Sequence, residues 1–216
     1  MKLNIFNPFA RHEMTRSELI NHFIKRHKYK TYLEIGVNTP AQPGYNYDSV
    51  EVSVKHGVDP AVDTTYRMTS DDFFTNHISS KYDIIFVDGL HIFEQAYRDI
   101  MNSLLWLNDN GTIIVHDCNP VKEITQRQER ASDVWHGDVW KAILKLRFEV
   151  PDVIIYTVDT DEGCTVIRKG KQKNLDSPGS KIDPYTYDYF HKNRTKILNL
   201  ISVRKFLRTY PEPNDL

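Results

Sequence analysis

Tyr82-Asp83-Ile84-Ile85-Phe86-Val87-Asp88-Gly89-Leu90-His91 is followed by a second run of the same kind, Gly111-Thr112-Ile113-Ile114-Val115-His116-Asp117. These two stretches decide the fold. Neither Ile84-Ile85-Phe86-Val87 nor Ile113-Ile114-Val115 alternates apolar with polar residues, as expected of parallel strands buried on both faces. Between them Phe93, Ala96, Tyr97, Ile100, Met101, Leu104 and Leu105 recur at helical spacing, and Asp109-Asn110-Gly111 offers a turn back into a sheet. The result is a β–α–β unit, whose crossover is expected to be right-handed.

Working outward, the candidate strands are Thr31 to Val37, a short one ending at Val58-Asp59, Tyr82 to Val87, Thr112 to His116, Val153 to Val158 and Thr165 to Arg168. Upstream, Thr15-x-x-Glu18 is a capping box, and Leu19, Ile20, Phe23 and Ile24 form one apolar helix face before a basic patch from Lys25 to Lys30. Downstream, a helix is predicted from Asp138 to about Phe148, with Val139, Trp140, Ile143, Leu144 and Arg147 on its core and rim. The closing strands flank Asp159-Thr160-Asp161-Glu162-Gly163, a loop short enough for an antiparallel hairpin at a sheet edge. The pattern is an α/β fold with a mostly parallel sheet. Residues 1–30 read as an N-terminal helical segment, 31–170 as the sheet domain, and 171–216 as a polar linker and an aromatic-rich helical tail. That tail is a packing appendage, an acceptor-site lid or a homo-oligomer contact.

The 216 residues allow one domain with appendages, and 40% hydrophobic with 12% aromatic side chains furnish a substantial core. With 28 basic and 29 acidic side chains the net charge is −1, so no global field favours nucleic acid or an anionic membrane. Cys118 and Cys164 form neither a disulfide framework nor a metal-ligand spacing. Met1-Lys2-Leu3-Asn4-Ile5-Phe6-Asn7-Pro8 lacks the apolar stretch of a signal peptide, and no segment approaches the ~20 apolar residues that span a bilayer. A soluble cytoplasmic protein without membrane insertion is expected.

Ligands of open parallel sheets bind beyond the carboxyl ends of the strands. There the chain reads Leu33-Glu34-Ile35-Gly36-Val37-Asn38, Gly57-Val58-Asp59-Pro60, Val87-Asp88-Gly89-Leu90-His91 and Val115-His116-Asp117. Any one of these acids could cap a helix or accept turn amides. Four at one rim repel one another, and a cation, a hydroxyl-rich ligand or a shared proton would relieve the repulsion. Asp59 follows the Glu34-x-Gly36 turn at about the distance from which an acid accepts ribose hydroxyls in nucleotide-binding α/β folds. Gly36 lets a ligand approach the backbone. The turn lacks Gly-x-Gly-x-x-Gly and leads into Asn38-Thr39-Pro40, a poor helix start, which disfavours a dinucleotide cradle.

Tyr32 to Val37, Gly57 to Pro60, Met68-Thr69-Ser70-Asp71-Asp72-Phe73-Phe74, Tyr82 to His91 and Gly111 to Asp117, taken in order, resemble class I S-adenosylmethionine-dependent methyltransferases. They look most like a bacterial small-molecule and sugar O-methyltransferase-like group, to which Trp135-His136-Gly137-Asp138-Val139-Trp140-Lys141 is also similar. The resemblance spans about Thr31 to Lys169 and implies a Rossmann-like, mostly parallel seven-stranded sheet with helices on both faces and a C-terminal antiparallel hairpin. It places Glu34, Gly36 and Asn38 by the methionine end of S-adenosylmethionine, Asp59 on the ribose, Ser70 and Asp71 by the adenine amine, and Asp88 near the methionine amino group or a metal. Ser70-Asp71 also reads as a helix cap with Asp72.

On the acceptor side, imidazole suits base duty, and His91 stands where related enzymes place a basic side chain; a purely structural helix-start histidine is the alternative. The resemblance brings Asp88 and Asp117 to two positions that bind a divalent cation, Mg2+ or another, with Cys118 a departure from that pattern. His116 is open as a ligand, a second base or a bridge to the sheet, and Trp135, His136 and Asp138 are expected to wall the acceptor pocket. The implied reaction is O-methylation of a small hydroxylated acceptor such as a sugar, with Asp88, His91 and Asp117 in the catalytic group. Two other classes stay open: a non-catalytic adenosine-ligand-binding or scaffold protein, and an NAD(P)-binding oxidoreductase.

Overall fold

The structure is a computed structural model that describes residues 14–42 and 44–211. The leaderless reading of Met1 to Pro8 concerns residues outside those described. Six strands form one sheet: β1 (Thr31–Ile35), β2 (Val54–Val58), β3 (Tyr82–Val87), β4 (Leu107–Val115), β5 (Val153–Val158) and β6 (Cys164–Lys169). Their order is β2-β1-β3-β4-β6-β5. The first four are mutually parallel, and β6 runs antiparallel to both β4 and β5. The chain leaves β1 toward β2 on one side and later returns to β3 on the other, so the switch in strand order lies between β1 and β3.

The expected count of seven strands is corrected to six among the described residues. Only residues 78–81 separate the helical turn ending at His77 from β3. A further parallel strand needs a crossover of a dozen or more residues, so β2 remains the sheet edge. A second correction concerns Asp109-Asn110-Gly111, which lies within β4 rather than ahead of it. Tyr82 pairs with Leu107 but Ile84 pairs with Thr112, so these residues form an irregular bulge in the strand.

Helices cover both faces. α1 (Arg16–His27) carries both reciprocal bonds of the Thr15–Glu18 capping box, and its face of Leu19, Ile20, Phe23 and Ile24 is buried. It packs on the face formed by Tyr32, Ile84, Phe86 and Ile114, together with Phe206 of α6 (Val203–Thr209). The opposite face, with Leu33, Ile35, Ile85 and Ile113, meets α3 (Phe93–Leu105), α4 (Trp140–Glu149) and α5 (Tyr187–Leu198). Leu105, counted with the apolar stripe of α3, instead stands 71% exposed at the end of that helix. A single turn, α2 (Ser70–Asp72), runs into a π turn (Phe73–His77).

The tail folds back on the body. Trp140 packs on Phe190 with ring centroids 4.4 Å apart, and Phe190, Ile197, Leu198 and Phe206 are buried within the chain. The polar segment before it docks too, because the Gln172 amide both donates to and accepts from the backbone of Ile155. No helix among the described residues is long and apolar enough to cross a membrane.

Candidate functional site

Strand parity builds the site. Successive side chains alternate faces, so Glu34 shares the face of Tyr32, Asp88 that of Phe86 and His116 that of Ile114. This is the face α1 covers. Beyond the ends of β1 and β3 lies a cleft of about 880 Å³, within the ~300–1,000 Å³ typical of small-molecule sites. Glu34, Asp59, Asp88 and Asp117, the four strand-end acids, all line it. So do Gly36, Asn38, Ser70, Asp71, His91, His116 and Trp135.

On one side of the cleft Gly36 has φ +84°, and an added Cβ would stand 2.2 Å from the Asp88 carbonyl oxygen. Only glycine fits this approach of the β1 and β3 ends. Asp59 Oδ2 accepts from the N–H groups of Val37 and Asn38, and Oδ1 from Ala61, so its carboxylate joins the loops after β1 and β2. Of its four lone-pair sites, one on Oδ1 remains open. The cap of α2 is Thr69, whose hydroxyl accepts from the Asp72 N–H, and not Ser70-Asp71. Ser70 Oγ and Asp71 Oδ1 instead accept from the Gln95 amide, which is anchored on buried Asp99 and also lines the cleft.

Glu34 is buried and accepts from the Tyr32 hydroxyl and, at 3.4 Å, from Asn46. Burial pushes its pKa up to about 8, against the pull of the Tyr32 bond and with added repulsion from Asp88.

The opposite side is a dense ionic cluster. His91 Nε2 lies 3.2 Å from Asp88 Oδ1, and its Nδ1 lies 3.2 Å from Asp117 Oδ2 and 3.1 Å from the Trp135 carbonyl, with the two rings stacked at 5.0 Å. His116 places Nδ1 3.3 Å from both Asp88 and Asp117, and Nε2 3.2 Å from Asp161. Burial alone would lower both imidazole pKa values, but the carboxylates outweigh it and hold them above the ordinary range. Both nitrogens of each ring stand within 3.3 Å of an oxygen. Asp88 is correspondingly held well below the usual carboxylate range, since the two histidines outweigh its burial. Asp117 occupies the left-handed region, φ 59°, which aspartate tolerates better than most residues other than glycine and asparagine.

Arg16, at the start of α1, completes the cluster. Its Nε and Nη2 grip Asp161 at 3.0 and 2.7 Å, and Nη1 reaches Asp88 at 3.1 Å. Three carboxylates, Asp88, Asp117 and Asp161, thus face one guanidinium and two imidazoles. Sequence reading missed Arg16, Asp161 and Gln95. The acidic hairpin loop was a signal for Asp161, whereas nothing local marks an arginine on an ordinary amphipathic helix.

Two expected wall residues stand behind the cleft lining. Asp138 is buried, accepting from the Phe93 N–H at 2.7 Å, from Gln128 and from Lys141, so it anchors the start of α3. His136 is buried against Glu162 at 2.7 Å. Gly137, between them, passes so close to His91 that an added Cβ would lie 1.7 Å from its carbonyl oxygen.

A cation fits the cluster. One donor atom each from Asp88, His116 and Asp117 lies within 4.8 Å of the others, and the buried His116 Nδ1 has no well-aligned hydrogen-bond partner. Two hard oxygens and one imidazole nitrogen form a donor set that divalent ions accept.

Residues 18–118 match a family described as a methyltransferase domain. A comparison with curated protein sequences returned no match. Among solved structures, an O-methyltransferase from Bacillus cereus in complex with S-adenosylhomocysteine is 14% identical, with 71% of this chain and 80% of that one covered at a TM-score of 0.51. An S-adenosylhomocysteine-bound methyltransferase from Podospora anserina is 17% identical, with 72% and 78% covered at 0.50. At these identities the likeness establishes the fold. The sheet order, the cleft at its switch point and the matched profile agree: residues 18–118 are similar to a methyltransferase domain and are carried on a Rossmann-like α/β fold.

Proposed function

We propose that this protein transfers the methyl group of S-adenosylmethionine to a hydroxyl oxygen of a small acceptor such as a sugar. The observation that carries the reading is one cleft joining two kinds of wall. All of Glu34, Gly36, Asp59, Ser70, Asp71, His91, Asp117 and Trp135 line it; this reading gives the first five to the cofactor and the last three to the acceptor. A dinucleotide oxidoreductase is disfavoured because β1 is followed by loop and a 3₁₀ turn at Tyr47–Ser49, leaving no helix N-terminus to take a pyrophosphate.

In this reading the Asp59 carboxylate accepts a ribose hydroxyl while its other bonds fix the loop beneath it. Ser70 and Asp71, held by Gln95, address the adenine. The acceptor oxygen attacks the methyl carbon in line, the carbon–sulfur bond breaks with its electron pair going to sulfur, and the hydroxyl proton goes to a base. We assign that role to His91, which lines the cleft beside Asp88 and Asp117. Asp88 and Asp117 raise its affinity for a proton, and a cationic ligand beside the same carboxylates would counter their field. Asp88, Asp117 and His116 would hold a divalent ion, which when bound orients a hydroxyl and lowers its pKa.

The test is calorimetric titration with S-adenosylmethionine, S-adenosylhomocysteine and NAD. The two sulfur ligands are expected to bind and NAD is not; tight NAD binding with no response to either sulfur ligand would sink the proposal. With an acceptor in hand, His91→Ala is expected to lose about 100-fold or more in turnover with cofactor affinity nearly intact. Unchanged turnover would return His91 to a structural role and favour the scaffold reading.

A further inference from the structure

The cleft is lined by many acids, among them Glu34, Asp59, Asp71, Asp88 and Asp117, and by two arginines. Arg130 is exposed, and its guanidinium holds its own loop through the carbonyls of Ser132 and Asp133. Arg16 lies deeper, with its side chain 16% exposed, at the end of the cleft bounded by Glu34 and Asp88.

The donors of Arg16 can be counted. A guanidinium has five N–H groups. One on Nε and one on Nη2 go to Asp161, and one on Nη1 goes to Asp88. One N–H on Nη1 and one on Nη2 remain. Gly44, with φ +82°, lies against this end of the guanidinium, where an added Cβ would stand 3.4 Å from Nη1 and Nη2 and 3.5 Å from Cζ. Gly44 therefore lays no side chain over the group, and both residues line the cleft. The guanidinium is held rigidly from behind, because Asp161 also accepts from the backbone N–H of Arg16 at 2.7 Å.

We propose that Arg16 binds the α-carboxylate of the methionine moiety and so selects cofactors that carry the complete amino acid. This rests on the S-adenosylmethionine reading above. That ligand has one carboxylate, at the end opposite its adenine. With adenosine at Asp59, Ser70 and Asp71, the amino acid extends toward Glu34, Asp88 and Arg16. Acids repel a carboxylate at this end of the cleft, and the two remaining N–H groups of Arg16 match its two oxygens in a bidentate, charge-assisted pair. The ammonium group then meets the acids. α1, which precedes the sheet in sequence, becomes part of the cofactor site.

The test compares S-adenosylhomocysteine with 5′-methylthioadenosine, which has the adenosine and sulfur but no amino acid, by calorimetry on the full chain. Arg16→Gln is expected to weaken S-adenosylhomocysteine roughly 10- to 100-fold while leaving 5′-methylthioadenosine within about twofold. Arg16→Lys, which keeps the charge but loses the fork, should fall between, and it serves as the test if the glutamine variant does not fold. Equal losses for both ligands, or no loss for either, would overturn the Arg16 assignment alone. Failure of the wild-type chain to bind either ligand would overturn the cofactor reading and this assignment together.

Discussion

Glu34 shows how one side chain ties the core to the site. It is 1% exposed, and burial pushes its pKa up to about 8 from an ordinary 4.5. Between those values the folded protein holds a proton that the unfolded chain has released. Its contribution is fully present below about pH 4.5, and stability falls as pH rises through the window up to about 8. Glu34→Gln keeps the shape and the neutral state. The variant is expected to gain melting temperature relative to wild type as pH rises from about 5 to 8, with the gap flat beyond that. Parallel melting curves across this range would show that Glu34 is not the buried acid responsible. At this scale the sequence was informative about residue type and silent about state. The acid at the end of β1 was legible, but its protonation depends on its burial, on Tyr32 of the same strand, on Asn46 of the following loop and on Asp88 at the end of β3, and only the fold brings these together.

α1 is the element on which most depends. Its first turn is fixed twice, by the Thr15–Glu18 box and by Asp161 on the Arg16 amide. Thr15→Ala removes the hydroxyl half of the box and is expected to cost about 1 kcal/mol in urea unfolding. Because the proposed carboxylate contact stands at the same turn, that variant should also weaken S-adenosylhomocysteine more than 5′-methylthioadenosine. A stability loss with no such split would separate the cap from the site. The cap and the apolar face of this helix were legible because both are local patterns with fixed spacing. Its partner was not, since Asp161 lies 145 residues away on the hairpin loop. The bulge at Asp109-Asn110-Gly111 was misread for a related reason: turn residues mark a departure from regular pairing, and only the neighbouring β3 decides whether the strand ends there or bulges.

In the whole molecule the C-terminal tail closes over α1. Phe206 is fully buried, with its ring 5.6 Å from Phe23, 4.9 Å from His22 and 5.5 Å from Tyr210. Arg26 donates to the Pro211 carbonyl, and Tyr156 stacks on Tyr210 at 5.7 Å. Phe206→Ala is expected to cost about 3–5 kcal/mol, read as a fall in the denaturation midpoint. A change under about 1 kcal/mol would mean that α6 only rests on α1.

By itself the sequence determined the α/β class, the central β–α–β unit, the closing hairpin and the acids at the strand ends. Each is written in short-range periodicity, in caps or in the residue that follows an apolar run. Only the tertiary structure decided that the described sheet has six strands, that His136 and Asp138 are buried supports, and that Arg16 and Gln95 enter the cleft, with Asp161 holding Arg16 in place. Those outcomes depend on how far a connection can reach and on which distant elements pack face to face, and neither is encoded in any local stretch of the chain.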